Sequence, residues 1–168
     1  MGDSLIEFFN WQARFPDEQV YNFGSAGETA EGLLSRLPNI IRNIRTPDLV
    51  MIMTGTNNIA MEDYGFLSTY ERIIDLLQRN YGPANIVMTS LLPMEFFFLG
   101  DAVPRVNKRL KDIAGDAEIA YLDLYPLFLG QDSRPISAYY EADGVHLSEK
   151  GYEVWAGALE ATILPLLQ

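Results

Sequence analysis

The chain has 168 residues, 48% hydrophobic and 21% charged, so one domain with a real core is expected and disorder is not. Twelve Lys and Arg against 23 Asp and Glu leave a net charge of −11, which argues against nucleic acid or an anionic lipid surface as partner, because both select clustered positive charge. With no cysteine there are no disulfides, thiol nucleophiles or Cys-ligated metals, and the single histidine, His146, must carry any imidazole chemistry.

The opening Met1-Gly2-Asp3-Ser4-Leu5-Ile6-Glu7 has no basic region and two acids, so it does not read as a signal peptide. Ile6 stands where a myristoylation motif needs Ser or Thr. No apolar stretch is long enough to span a membrane, and a soluble, cytoplasmic protein is expected. Leu5, Phe8, Phe9 and Gln12 to Phe15 predict a helix straight after Ser4. Val20 to Phe23 reads as a short strand ending at Gly24. From Thr29, the stripe Leu33, Leu34, Leu37, Ile40, Ile41 and Ile44 predicts a helix that Pro38 restarts or kinks. Leu49 to Met53 is a fully apolar run between Pro47-Asp48 and Gly55, the pattern of a strand buried on both faces.

Tyr70, Ile73, Ile74 and Leu77 mark the next helix, stopped by Gly82-Pro83. Ile86 to Thr89 is a buried strand, followed by a loop from Leu92 to Val103. Val106, Leu110 and Ile113 give a helix ending near Gly115, and Ile119 to Leu122 is the last strand. An irregular stretch runs from Tyr125 to Gly144, and Tyr152, Trp155, Ala156, Leu159 and Ile163 close the chain as a helix. Strands alternating with helices predict a single three-layer α/β/α domain over residues 1–168 with a parallel, flavodoxin-like sheet. Sites in such sheets lie at the carboxyl ends of the strands.

Four segments at those ends carry chemistry. In Asp143-Gly144-Val145-His146, an Asp three residues before the only His can orient the imidazole, or simply cap a loop. Ser4 in Gly2-Asp3-Ser4-Leu5 reads as a helix N-cap, or as a nucleophile once a base takes its proton. Gly24-Ser25-Ala26-Gly27 can bring backbone N–H groups to a ligand, or serve only as a tight turn. Gly55-Thr56-Asn57-Asn58 puts side-chain amides on the same edge, or builds an Asx turn. No phosphate loop of Walker or dinucleotide type is present.

Taken in this order, the four segments resemble the GDSL or SGNH hydrolase family, over essentially the whole chain. The wording of Asn22 to Thr29 and of Gly55 to Asn58 is most similar to the branch containing platelet-activating-factor acetylhydrolase catalytic subunits. The resemblance implies a catalytic Ser4, His146 and Asp143, with an oxyanion hole of the Ser4 and Gly27 N–H groups and the Asn57 amide. It implies ester cleavage through an acyl-enzyme, with no cofactor and no metal, and a domain this small, with no room for a large lid, suits short-chain, acetyl-like esters. Many relatives carry Asp at the position of Asn58, which has no catalytic role in this scheme. The family also has an apolar strand running into Gly-Asp-Ser, whereas only Met1 precedes Gly2. A first strand missing from the numbered sequence, or another chain in its slot, is therefore expected.

The loop Met94 to Gly100, with Phe96, Phe97 and Phe98, is a candidate wall of the ester pocket, or else a satellite cluster or subunit contact. Tyr139 and Tyr140 are candidates for the opposite rim. A small-molecule, glycan or lipid ester is the expected partner, and a homodimer is compatible with the sequence. Two other readings share the fold: an O-acyltransferase with a sugar or alcohol acceptor, and a non-catalytic binding module.

Overall fold

The computed structural model describes residues 1–82, 84–94 and 100–163. Strands β1 (Leu49–Ile52), β2 (Asn85–Thr89) and β3 (Ala120–Leu122) lie side by side in that order, all parallel. The register pairs Val50 with Ile86 and Met88 with Tyr121. Ile86, Val87, Met88 and Thr89 are consecutively buried, which requires cover on both faces of the central strand. The helices before and between the strands are α3 (Ala30–Asn43), α4 (Thr56–Ala60), α5 (Phe66–Asn80) and α6 (Ala102–Asp116), and α7 (Glu149–Ile163) follows β3. Helix α5 packs on α3, while α6 and α7 both reach β3, giving the expected α/β/α architecture. Short 3-10 turns at Tyr125–Phe128 and Ser137–Tyr139 interrupt the long connection to α7.

Several expectations need correction. The first helix is two short ones, α1 (Ser4–Glu7) and α2 (Trp11–Arg14). Its break is built by Asn22, whose amide donates to the carbonyls of Ile6 at 2.9 Å and Glu7 at 3.2 Å and so ties off the end of α1. Asn10 then caps α2 by accepting from the Ala13 N–H. Helix α3 runs through Pro38 as one element, held by the buried face Leu33, Leu37 and Ile40. Strand β1 is not buried on both faces, because Leu49 and Met51 are only half-buried while Val50 and Ile52 are buried.

Val20 to Phe23 does not form a strand either. Among the described residues the only pairing on that side is an isolated parallel bridge from Gly24 to Gly2, and Gly2 makes a second one to Met53. Gly2 thus fills an interior position of the sheet with almost no length of chain. Its N–H donates to Phe23 at 3.3 Å, its carbonyl accepts from Ser25 at 2.9 Å, and the Met53 N–H donates to Met1 at 3.2 Å. A Cβ at Gly2 would stand 1.8 Å from the Met53 carbonyl oxygen, so no other residue fits. Beyond Met1 the slot continues as a groove of about 700 Å³ between residues 19–23 and 43–51. Met1's ammonium closes its inner end, donating to the Met51 carbonyl at 2.8 Å. Burial, then the Arg36 guanidinium, push this ammonium down to about 5.

Among the described residues no helix is long and apolar enough to cross a membrane.

Candidate active site

Asp3, not Ser4, caps α1: its Oδ1 accepts from the Leu5 N–H at 3.1 Å. Ser4 is therefore the first helical residue, and its own N–H donates to no protein group among the described residues. The hydroxyl is free for other work. Ser4 is 7% exposed, so little water competes for it.

His146 reaches Ser4 from the far end of the chain. Ser4 Oγ–H donates to His146 Nε2 at 3.0 Å, and His146 Nδ1–H donates to Asp143 Oδ2 at 2.6 Å. That pattern fixes the tautomer with its lone pair toward the serine. The three-residue spacing works because Asp143 folds the loop around itself. Its Oδ1 accepts from the N–H groups of Val145 and His146, both at 2.9 Å, and Gly144 takes φ +69° to close the turn. The Glu141 N–H bonds back to the His146 carbonyl at 2.8 Å. The hydrogen bond from His146, then those from the backbone, hold the Asp143 carboxyl down at about 2, so it stays ionised at any ordinary pH.

Gly27 lies on the turn Ser25–Glu28 with φ +74°, a conformation that favours glycine although a Cβ there would meet open space. The Gly27 N–H has no protein acceptor among the described residues. The Ala26 N–H, by contrast, is held by Glu7 of α1. Asn57 is the second residue of α4, which follows β1, and its amide donates to the Glu28 carbonyl at 2.9 Å. One amide hydrogen thus locks the side chain to the turn and the other remains for a ligand. Asn58 is wholly buried: it accepts from the Ala30 N–H at 3.0 Å and donates to Glu31 and Asp63, both at 2.9 Å.

Two features were not legible as site features in the sequence. Phe8, one helical turn after Ser4, lies with its ring 5.2 Å from the imidazole and is 58% exposed. The i, i+4 spacing from Ser4 is the signal that points to it. Asp3 is wholly buried behind the serine, and burial pushes its carboxyl up to about 6, against the pull of the Leu5 N–H and of Thr56. Of the residues expected at the pocket rim, only Tyr139 and Tyr140 are among those described. Tyr140 is buried and, like Tyr139, packs edge-on against Phe128 rather than on His146. Phe96, Phe97 and Phe98 lie outside the described residues. No group of three or more His, Asp or Glu side chains able to hold a metal occurs among the described residues.

The profile of the GDSL-like Lipase/Acylhydrolase family matches residues 2–154. The chain belongs to this family. It is 30% identical to the bovine (Bos taurus) platelet-activating factor acetylhydrolase IB subunit alpha1, over 99% of this chain and 75% of that one. Among solved structures it is similar to a GDSL-like lipase from Bacteroides thetaiotaomicron, with a TM-score of 0.82 and 23% identity over 98% of this chain and 86% of that one. It is also similar to an acetyl xylan esterase from Geobacillus stearothermophilus, with a TM-score of 0.77 and 21% identity over 90% of this chain and 76% of that one. As a GDSL-like acylhydrolase the protein is a carboxylic ester hydrolase.

Asp3 gives this site a measurable stability signature. Because its folded pKa is raised from 3.8 to about 6, its contribution is full below the unfolded value and lost as pH rises through the folded one. Two units correspond to about 3 kcal/mol. Asp3→Asn keeps the cap and never ionises. Its thermal midpoint is expected to match the parent near pH 4 and exceed it by several degrees at pH 8, so a difference that stays constant across that range would contradict the assignment.

Proposed function

We propose that Ser4, His146 and Asp143 act as nucleophile, general base and orienting acid in the hydrolysis of short-chain, acetyl-like esters. The observation that carries this reading is the unbroken contact chain from Asp143 through His146 to Ser4, at 2.6 and 3.0 Å. A serine hydroxyl is a weak nucleophile until a base removes its proton, and the base must lie within hydrogen-bond reach of it.

In the proposed cycle, Ser4 Oγ attacks the ester carbonyl while His146 Nε2 takes its proton. The carbonyl oxygen becomes an alkoxide stabilised by the N–H groups of Ser4 and Gly27 and the amide of Asn57. Asp143 stays ionised and stabilises the imidazolium. Collapse then breaks the C–O bond, His146 protonates the departing alcohol, and an acyl-Ser4 ester remains. Water, deprotonated by His146, attacks this ester, and as the acyl C–O bond breaks His146 returns the proton to Ser4 Oγ, releasing the acid and free Ser4.

The alcohol leaves on the side where Nε2 delivers its proton. The exposed Phe8 ring, 5.2 Å from the imidazole, offers an apolar platform beside His146 for the leaving group. The preference for a short acyl chain is supported by the likeness to an acetylhydrolase subunit, which speaks for an acetyl group in particular.

Asn57→Ala is expected to lower kcat on 4-nitrophenyl acetate by roughly 10²–10³-fold with KM nearly unchanged, since the amide meets an oxyanion only in the transition state. His146→Ala is expected to abolish turnover, because the sequence holds no other imidazole. Along a series of 4-nitrophenyl esters from acetyl to decanoyl, kcat/KM is expected to be highest at acetyl and to fall with length. Activity kept by His146→Ala, or a maximum at long acyl chains, would contradict the corresponding part of the proposal.

A further inference from the structure

Midway along α3, Arg36 faces the back of the turn that carries Gly27. Its Nε and Nη2 grip the Glu28 carboxylate at 2.6 and 2.7 Å, a two-pronged contact that only a guanidinium makes. The same Nη2 donates to the Phe23 carbonyl at 2.7 Å and reaches the Gly2 carbonyl at 3.4 Å. One planar group therefore touches the chain entering the turn, the residue directly after Gly27, and the chain two residues before Ser4. The Glu28 carbonyl in turn receives the Asn57 amide. All three donor-bearing segments meet around this fork.

Helix α3 is shaped to admit it. Gly32 lies one turn before Arg36, and a Cβ there would stand 2.7 Å from Glu28 Cγ, so the glycine leaves the path along which the Glu28 side chain reaches the guanidinium. Glu28 and Arg36 are largely shielded from water, with side-chain exposures of 11% and 28%.

We propose that Arg36 is a positioning residue for the oxyanion hole: through Glu28 and the carbonyls of Phe23 and Gly2 it holds the Ser4, Gly27 and Asn57 donors in one fixed arrangement. The inference rests on the roles proposed above for those donors. Arg36 itself touches no reacting atom. Its effect belongs to kcat, because the donors are engaged by negative charge that exists only in the transition state. A displacement of about 1 Å in such donors costs on the order of 10²-fold in rate.

The test compares Arg36→Gln, Arg36→Lys, Glu28→Gln and Gly32→Ala with the parent on 4-nitrophenyl acetate, with Arg42→Gln on the exposed side of α3 as control. Each variant is also followed by thermal unfolding and by its affinity for an acetyl trifluoromethyl ketone, which presents an oxyanion to the site. Arg36→Gln is expected to lose roughly 10–100-fold in kcat with KM within about twofold, and to lose ketone affinity in proportion. Arg36→Lys, which keeps the charge without the fork, is expected to recover only part of the loss. Glu28→Gln and Gly32→Ala are expected to fall in the same direction by smaller factors, while Arg42→Gln stays at the parent level. Should Arg36→Gln fail to fold, Glu28→Gln and Gly32→Ala decide the matter, because both leave Arg36 on the Phe23 and Gly2 carbonyls. Folded variants with kcat and ketone affinity within twofold of the parent would overturn the inference, as would a lowered unfolding midpoint as the sole effect. Ser4→Ala, measured alongside, separates the two claims. If it retains full activity, the reading of the site fails whatever the Arg36 variants do.

Discussion

The site depends on one crossing of backbone at Gly2. There the chain passes between Gly24 and Met53 with no space for a side chain, making parallel bridges to both. Two residues later comes Ser4, so the crossing sets where the hydroxyl emerges. Its carbonyl receives the Ser25 N–H, so it also sets where the turn bearing Gly27 begins. On its other flank Met53 leads directly into Gly55 and Asn57. Three segments far apart in sequence are thus placed by a single residue that must be glycine for want of room. Interiors packed this tightly transmit small shifts rather than absorbing them.

Two acids flank the serine and their surroundings drive them apart. Asp143, on an exposed loop, is held ionised by the imidazole and two backbone N–H groups. Asp3, wholly buried, is pushed the opposite way by loss of water. Opposed environments of this kind let two identical side chains serve different ends. In this site the exposed acid fixes the imidazole tautomer, and the buried one caps α1. The cost of burying Asp3 is borne where the chain turns abruptly into Ser4, a usual place for stored instability.

What the sequence made legible was local. The parallel α/β architecture followed from alternating periods, and the pairing of Asp143 with His146 followed from a spacing that an Asx-type loop closes on itself. What it hid depends on distant partners. Val20 to Phe23 has a strand's composition, yet among the described residues the pairing on that side is the isolated bridge between Gly24 and Gly2. The helix break after α1 is made by Asn22, more than a dozen residues away. Arg36 gave no motif at all, since its partners are two carbonyls and a carboxylate whose meeting only the folded chain defines. Tyr140 looked like a rim residue for its type and place, yet Phe128 offered it a better home in the core.

The central claim is that the Ser4 hydroxyl is the nucleophile that His146 activates. Reaction with a short-chain fluorophosphonate, followed by peptide mass mapping, tests it most directly. The account predicts a single phosphonyl adduct on the peptide carrying Ser4, absent from Ser4→Ala and formed far more slowly in His146→Ala. An adduct on another residue, or labelling of Ser4→Ala at the parent rate, would contradict it.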